Sequence, residues 1–226
     1  MKSKKTIIAV VAGVVFLSIV FVAVLLSKSF DASGYVSVVL NQTFYGKVEG
    51  AAEIIDGVTE EELYQTYEDG VTAFVKNNVI SGVDMDAETE AKFIELGKKI
   101  FAAMKFEILE AEKISRKEYN VMVKYEPSDV FVEYVNSIKE ENKRISDKVQ
   151  SGAYKGSADE INEQIKKEFI GAAYSLLEDA YNDMTYGEAQ EMEFVVKVGA
   201  TELYQMREDE VQKFLVKIMR LDEITD

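Results

Sequence analysis

The chain of 226 residues carries 26 basic and 41 acidic side chains, a single proline, and neither cysteine nor histidine, for a net charge of −15. Such a charge opposes binding to phosphate backbones, so nucleic acid is excluded as a partner, and disulfides, lipid attachment to cysteine, and cysteine or histidine catalysis are excluded with it. Apolar residues make up 47% of the chain, enough for a real core, so a disordered chain is excluded too.

The first element is an uncharged run of 20 residues from Ile7 to Leu26, interrupted only by Gly13 and Ser18. Its length matches the roughly 20 residues that a helix needs to cross a bilayer. Cleavable signals have shorter apolar regions, about 7 to 15 residues, and end in a small-x-small site. The available site here, Ser27-Lys28-Ser29, has a lysine at its centre. The run therefore reads as an uncleaved transmembrane signal anchor, with residues 1–29 forming a cytoplasmic stub and the span. Lys2, Lys4 and Lys5 precede it and only Lys28 follows closely. That imbalance keeps the N-terminus cytoplasmic and puts residues 30–226 outside a single-pass cell-membrane anchor. The outer part has 22 basic and 41 acidic residues, a net charge of −19 that should oppose adsorption to anionic lipid.

Beyond the span, Val36, Val39, Leu40, Thr43 and Phe44 stand at helical spacing, with Asp31 or Ser33 available as cap. Thr59 and Glu62 make a capping box for a second helix, whose face carries Leu63, Tyr67, Val71 and Phe74 and which runs to about Asn77. Asp86 caps a third, with Phe93, Leu96, Ile100 and Met104 as its buried stripe. The period then becomes two. In "EYNVMVKYE", Tyr119, Val121, Val123 and Tyr125 alternate with Asn120, Met122 and Lys124, and "SRKE" supplies the turn from a preceding strand, "KFEILEAEKI". Met192, Phe194, Val196 and Val198 alternate likewise, and Leu203 to Met206 can pair back across Gly199 and Ala200.

Between the second and third strands lies a helical pair at about 129–183. The first member has Phe131, Tyr134 or Val135, Ile138 and Ile145; the second is capped by Ser157 and Glu160 and carries Ile161, Ile165, Phe169, Ala172, Leu176 and Ala180. A last helix begins near Asp209 and buries Val211, Phe214, Leu215 and Ile218. The expected fold is α+β: helices packed on a three- to four-stranded antiparallel sheet with a helical-hairpin insertion.

The opening "FDASGYVSVVLNQTFYG" at 30–46 resembles the start of extracytoplasmic domains in lipoproteins and signal-anchored proteins of Gram-positive bacteria. Those domains are similar to the nuclear transport factor 2-like or cystatin-like α+β roll. The resemblance implies a binding module that uses a concave sheet face, and it carries over no catalytic residue. This chain departs from the pattern by lacking a lipobox cysteine and by carrying the long helical pair.

Chemical motifs are few. In "DMDAETEAKFIE", Asp84, Asp86, Glu88 and Glu95 fall at positions 1, 3, 5 and 12 of a calcium loop. Thr89 stands where the turn needs glycine, Lys92 replaces an oxygen ligand and Phe93 begins an apolar stripe, so the segment reads as a helix cap with acids beside the helix dipole. No metal or cofactor site is expected, and no pair of acids is singled out as catalytic. Tyr174, Tyr181 and Tyr186 can line a groove beside the helical pair, but read as core. "ELYQTYED" at 62–69 and "ELYQMRED" at 202–209 share six of eight residues in different contexts, which reads as coincidence. The functional reading is a membrane-anchored binding or protein-interaction domain, its partner another membrane protein or a cell-envelope ligand and the helical pair its contact element. A cell-envelope hydrolase using two carboxylates is the alternative.

Overall fold

The computed structural model describes residues 30–51, 58–199 and 204–224. The expected anchor from Ile7 to Leu26 lies outside these residues, and no helix among the described residues is long and apolar enough to cross a membrane.

Helix α1 spans Ala32–Tyr45, and Asp31 caps it by accepting the Gly34 N–H at 2.8 Å. It ends at Gly46 with φ of 61°, the left-handed closure that glycine adopts without strain, and a Cβ there would meet the Tyr67 ring at 2.7 Å. Helix α2 spans Glu60–Phe74 behind the complete Thr59/Glu62 capping box, and acids fill its first turn. Instead of stopping or continuing regularly it widens into a π-helical turn at Val75–Val79. The Asn77 and Asn78 side-chain amides donate to the carbonyls of Ala73 and Phe74 there, at 2.7 and 2.9 Å. Helix α3, Ala87–Ala102, starts at Asp86, whose carboxylate accepts the Thr89 N–H at 2.8 Å. Gly97 lets this helix approach the π turn closely, since a Cβ at Gly97 would lie 2.5 Å from Val75.

Strands β1 (Lys105–Ser115), β2 (Glu118–Glu126), β3 (Gln190–Val198) and β4 (Tyr204–Met206) form an antiparallel sheet in the order β1-β2-β3-β4. The expected turn falls at Arg116-Lys117, and β4 pairs with β3 over Val196–Val198 as expected. Helices α4 (Val130–Gln150) and α5 (Ala158–Asn182) make the hairpin between β2 and β3, and α6 (Glu208–Ile218) with a 3-10 turn at Leu221–Glu223 closes the described chain.

One sheet face supplies Val121, Val123, Tyr125, Phe194, Val196, Tyr204 and Met206 to a continuous core shared with α1 and α6. Phe214 of α6 is its hub, with its ring edge-on to Phe44, Phe106, Tyr125 and Phe194 at centroid distances of 5.8, 5.9, 5.2 and 5.4 Å. The hairpin packs on the other helices. Phe131 meets Phe74 at 5.2 Å, the Tyr134 hydroxyl donates to the Val79 carbonyl at 3.1 Å, and Tyr174 stands edge-on to Phe93 at 5.4 Å.

On α5 the buried stripe is Phe169, Ala173, Leu177 and Ala180, whereas the expected Ala172 and Leu176 are half-buried. Both series share Phe169 and Ala180, three turns apart. Between them the observed series steps by four, four and three residues and the expected one by three, four and four, so the middle of the buried stripe is displaced by one residue.

Strand β4 is too short to pair with the whole of β3, which leaves the Val195 N–H to be satisfied otherwise. The buried Glu210 carboxylate accepts it at 3.2 Å. Burial raises the Glu210 pKa, so the fold disfavours the ionised form, and this penalty is present at neutral pH and relieved as pH falls. Glu210→Ala should lower stability by about 1–3 kcal/mol because a buried donor loses its partner. Glu210→Gln keeps the acceptor without the charge and should be at least as stable as the parent at neutral pH. Urea unfolding of both variants checks the pair.

Candidate functional site

Alternation in the strands that fill the core leaves the opposite sheet face to solvent. In register, Glu107 of β1 and Glu191 of β3 both lie opposite Lys124 of β2; Glu193 lies opposite Met122, and Glu118 opposite Lys197. These charged side chains are exposed apart from half-buried Glu118, while Asn120, Met122 and Val195 are half-buried between them. Asn120 donates through Nδ2 to Glu193 Oε2 at 2.8 Å, and its Oδ1 is buried without a hydrogen-bond partner. The face thus offers a small apolar strip with flanking charges of both signs.

The sheet edges are poor docking sites by comparison. Strand β1 has register shifts between Ile108 and Ala111 and between Lys113 and Ser115, and Ser33 of α1 donates to the Leu109 carbonyl at 3.0 Å. Irregularity and charge discourage pairing with a further strand there, and β4, at three residues, is short.

A second polar cluster joins the two members of the hairpin. Arg144 of α4 reaches Glu141 on its own helix and Glu168 on α5, and Glu168 also accepts from Lys148 Nζ at 2.6 Å and from the Tyr154 hydroxyl at 2.8 Å. Lys148, Arg144 and Tyr154 together hold the Glu168 carboxyl down at about 2. The unfolded chain takes up this proton first, near the ordinary 4.5, so the stabilisation is complete above that value and is lost as pH falls toward 2. Glu168→Gln should cost on the order of 1 kcal/mol at neutral pH, and the difference from the parent should vanish across that acid window in urea unfolding followed against pH. With every group committed to a partner, the cluster clamps the hairpin and leaves no group poised for chemistry.

The acids at 84–95 do not converge. Asp86 caps α3, Glu88 pairs with Lys92 at 2.9 Å, Glu95 pairs with Lys98 at 2.9 Å, and Asp84 pairs with Lys166 at 3.3 Å. Among the described residues no group of three or more acids could hold a metal ion. The three tyrosines do not share one environment. Tyr174 packs on Phe93, while Tyr186, close enough to Tyr181 for the two to interact electrostatically, lies beneath the Lys105 ammonium at 3.6 Å and donates to the Ala103 carbonyl at the end of α3. General acid catalysis needs a carboxyl with raised pKa. The described carboxyl that burial raises, Glu210, is committed to the β3 backbone.

At the other end of the sheet the chain enters the fold. Phe30 stacks on Tyr204 with centroids 4.0 Å apart and planes 6° from parallel, and it touches Tyr119 and Tyr35 at 5.7 and 5.9 Å. No sequence signal marked this contact, because Phe30 and Tyr204 lie near opposite ends of the chain.

No protein-family model and no curated protein matches the chain. Among solved structures it is similar to ycdA, a candidate lipoprotein of Bacillus subtilis subsp. subtilis str. 168, with 14% identity and a TM-score of 0.50. The match covers 82% of this chain and 54% of the other, so this chain spans about half the length of that protein. At this identity the likeness concerns the fold.

Proposed function

We propose that the chain is a membrane-anchored, extracytoplasmic binding domain that offers its open sheet face to another membrane protein or a cell-envelope ligand. The observation that carries the reading is the seating of Phe30. The apolar run ends at Leu26, and only Ser27, Lys28 and Ser29 separate it from a side chain already packed among Tyr35, Tyr119 and Tyr204. Three residues span at most about 10 Å, so the domain is held near the surface in which the run is embedded. The fold of a candidate lipoprotein supports the placement, with the apolar span in this chain standing where a lipid would tether its neighbour. On this reading the domain elaborates the roll-like order of helices before sheet by inserting the α4–α5 hairpin, and residues 1–29 remain its anchor.

Binding draws on the strip of Asn120, Met122 and Val195. Half-buried Met122 and Val195 offer apolar contact, and exposed Lys124 and Glu193 beside them offer charge. A photo-crosslinking residue placed at Met122 in the full chain, in intact cells, should give a discrete adduct, and one placed at the exposed Ser146 on the hairpin should not. Adducts confined to Ser146 would move the contact to the hairpin, and loss of the chain from washed membranes would remove the anchor. For the hydrolase alternative, Glu107→Gln and Glu191→Gln would have to abolish an activity on cell-wall glycans.

A further inference from the structure

We propose that the turn between β1 and β2 docks on the anionic headgroups of the bilayer that holds the chain. The inference rests on the anchored reading above and adds an orientation to it. The turn and the point of chain entry share one end of the sheet. Phe30 stacks on Tyr204, and the Tyr204 hydroxyl donates to the Arg116 carbonyl at 2.9 Å, so the first packed residue after the apolar run lies one side chain away from the turn. The Lys117 carbonyl is fixed on the same end, accepting the Val198 N–H at 2.9 Å.

The composition of that turn reverses the character of the domain. Between Glu112 and Glu118, Lys113-Ile114-Ser115-Arg116-Lys117 contains three basic residues and no acid, in a domain that elsewhere carries more than two acids for each base. All five residues are exposed. Among the described residues neither Arg116 nor Lys117 has an acidic partner within ion-pair distance, and Lys113 lies over the Tyr119 ring at 5.5 Å. Ile114, at 50% exposed, is the most exposed large apolar side chain among the described residues. Basic residues flanking an exposed apolar one are the composition that settles at a lipid interface, the charge on phosphate and the apolar side chain at the acyl boundary.

The connecting length brings this turn within reach. Ser27 to Ser29 extend at most about 10 Å, comparable to a Debye length of about 8 Å at physiological ionic strength. At that range each Lys or Arg strengthens binding to an anionic surface about fivefold. The net charge of −19 then acts as an orienting force, since the acidic remainder is repelled while the basic tip is attracted. The domain would stand with its β1–β2 turn on the membrane and its strands leading away.

The absence of cysteine allows the test to use the full chain with a single introduced thiol. Ser115→Cys puts a nitroxide in the turn. Ala189→Cys puts one just before β3, whose first residue Gln190 pairs with Tyr125 at the sheet end away from the turn. Each chain is reconstituted in nanodiscs of phosphatidylcholine alone or with about one-third phosphatidylglycerol, washed with alkaline carbonate, and probed by accessibility to oxygen and to a water-soluble nickel chelate. In the anionic discs the label at 115 should gain oxygen access and lose chelate access, while the label at 189 stays aqueous. Arg116→Gln and Lys117→Gln should each weaken docking about fivefold, and 1 M salt, which shortens the Debye length to about 3 Å, should release the turn without any substitution. A retained chain whose label at 115 stays aqueous, or whose immersion is the same in neutral discs, overturns the docking alone. A chain removed by the carbonate wash overturns the anchored reading and the docking with it.

Discussion

Phe214→Ala should lower the unfolding free energy by about 3–5 kcal/mol, the range for truncating a fully buried aromatic residue. The upper part of the range is expected because the neighbours of Phe214 cannot collapse into the space. Phe44 is fixed on α1, Phe106 on β1, Tyr125 on β2 and Phe194 on β3, and each presents a ring face or edge to the one that is removed. Four edge contacts, at about 0.5–1.5 kcal/mol each beyond area burial, are lost together, although they are not additive. Phe214→Leu fills most of the volume without the rings' edge-to-face geometry and should recover part of the loss. Denaturant unfolding of the three proteins measures both steps. A loss below about 1 kcal/mol for Phe214→Ala would mean that α6 does not pack as described.

The elements that could be read from sequence are those whose determinants are local. Thr59 with Glu62 and Ser157 with Glu160 each supply both halves of a capping box within four residues, and both boxes form. The alternation of Val121, Val123 and Tyr125 declares a buried strand face without reference to any partner. What escaped depends on distant groups. The π turn at Val75–Val79 is accommodated by Gly97 of another helix. The role of Glu210 follows from β4 being too short to cover Val195, which no local pattern reveals. The shared "ELYQ" is the plainest case: Glu62–Gln65 lies in α2, whereas Tyr204 and Gln205 lie in β4, so tertiary position overrides local preference. The open sheet face was legible as a consequence of alternation, but the proximity of the basic turn to the chain entry required the Phe30–Tyr204 stack.

Replacement of residues 130–182 by a short glycine-serine connection should abolish cooperative folding. The helical pair, expected from sequence as the contact element, has an inner face that belongs to the core: Phe131, Tyr134, Ile138, Phe169 and Leu177 are all buried. Removing it also uncovers Phe74, Val79 and Phe93, the α2–α3 side chains on which it rests, and leaves the Val79 carbonyl without the Tyr134 hydroxyl. Re-exposure of three large apolar side chains costs roughly 1.5–3 kcal/mol each, and the sum approaches the 5–15 kcal/mol by which whole domains are stable. The shortened chain should therefore show reduced helicity by circular dichroism and a broad, non-cooperative urea transition. Tyr134→Phe, which removes only the hydroxyl, should cost about 1 kcal/mol and leave the transition cooperative, distinguishing loss of one bond from loss of the layer. If the shortened chain instead unfolds cooperatively near the parent midpoint, the hairpin is a separable unit and its exposed outer faces become the first place to seek a partner. Failure to fold would make the hairpin structural support and leave the Asn120–Met122 face as the surface on which binding is tested.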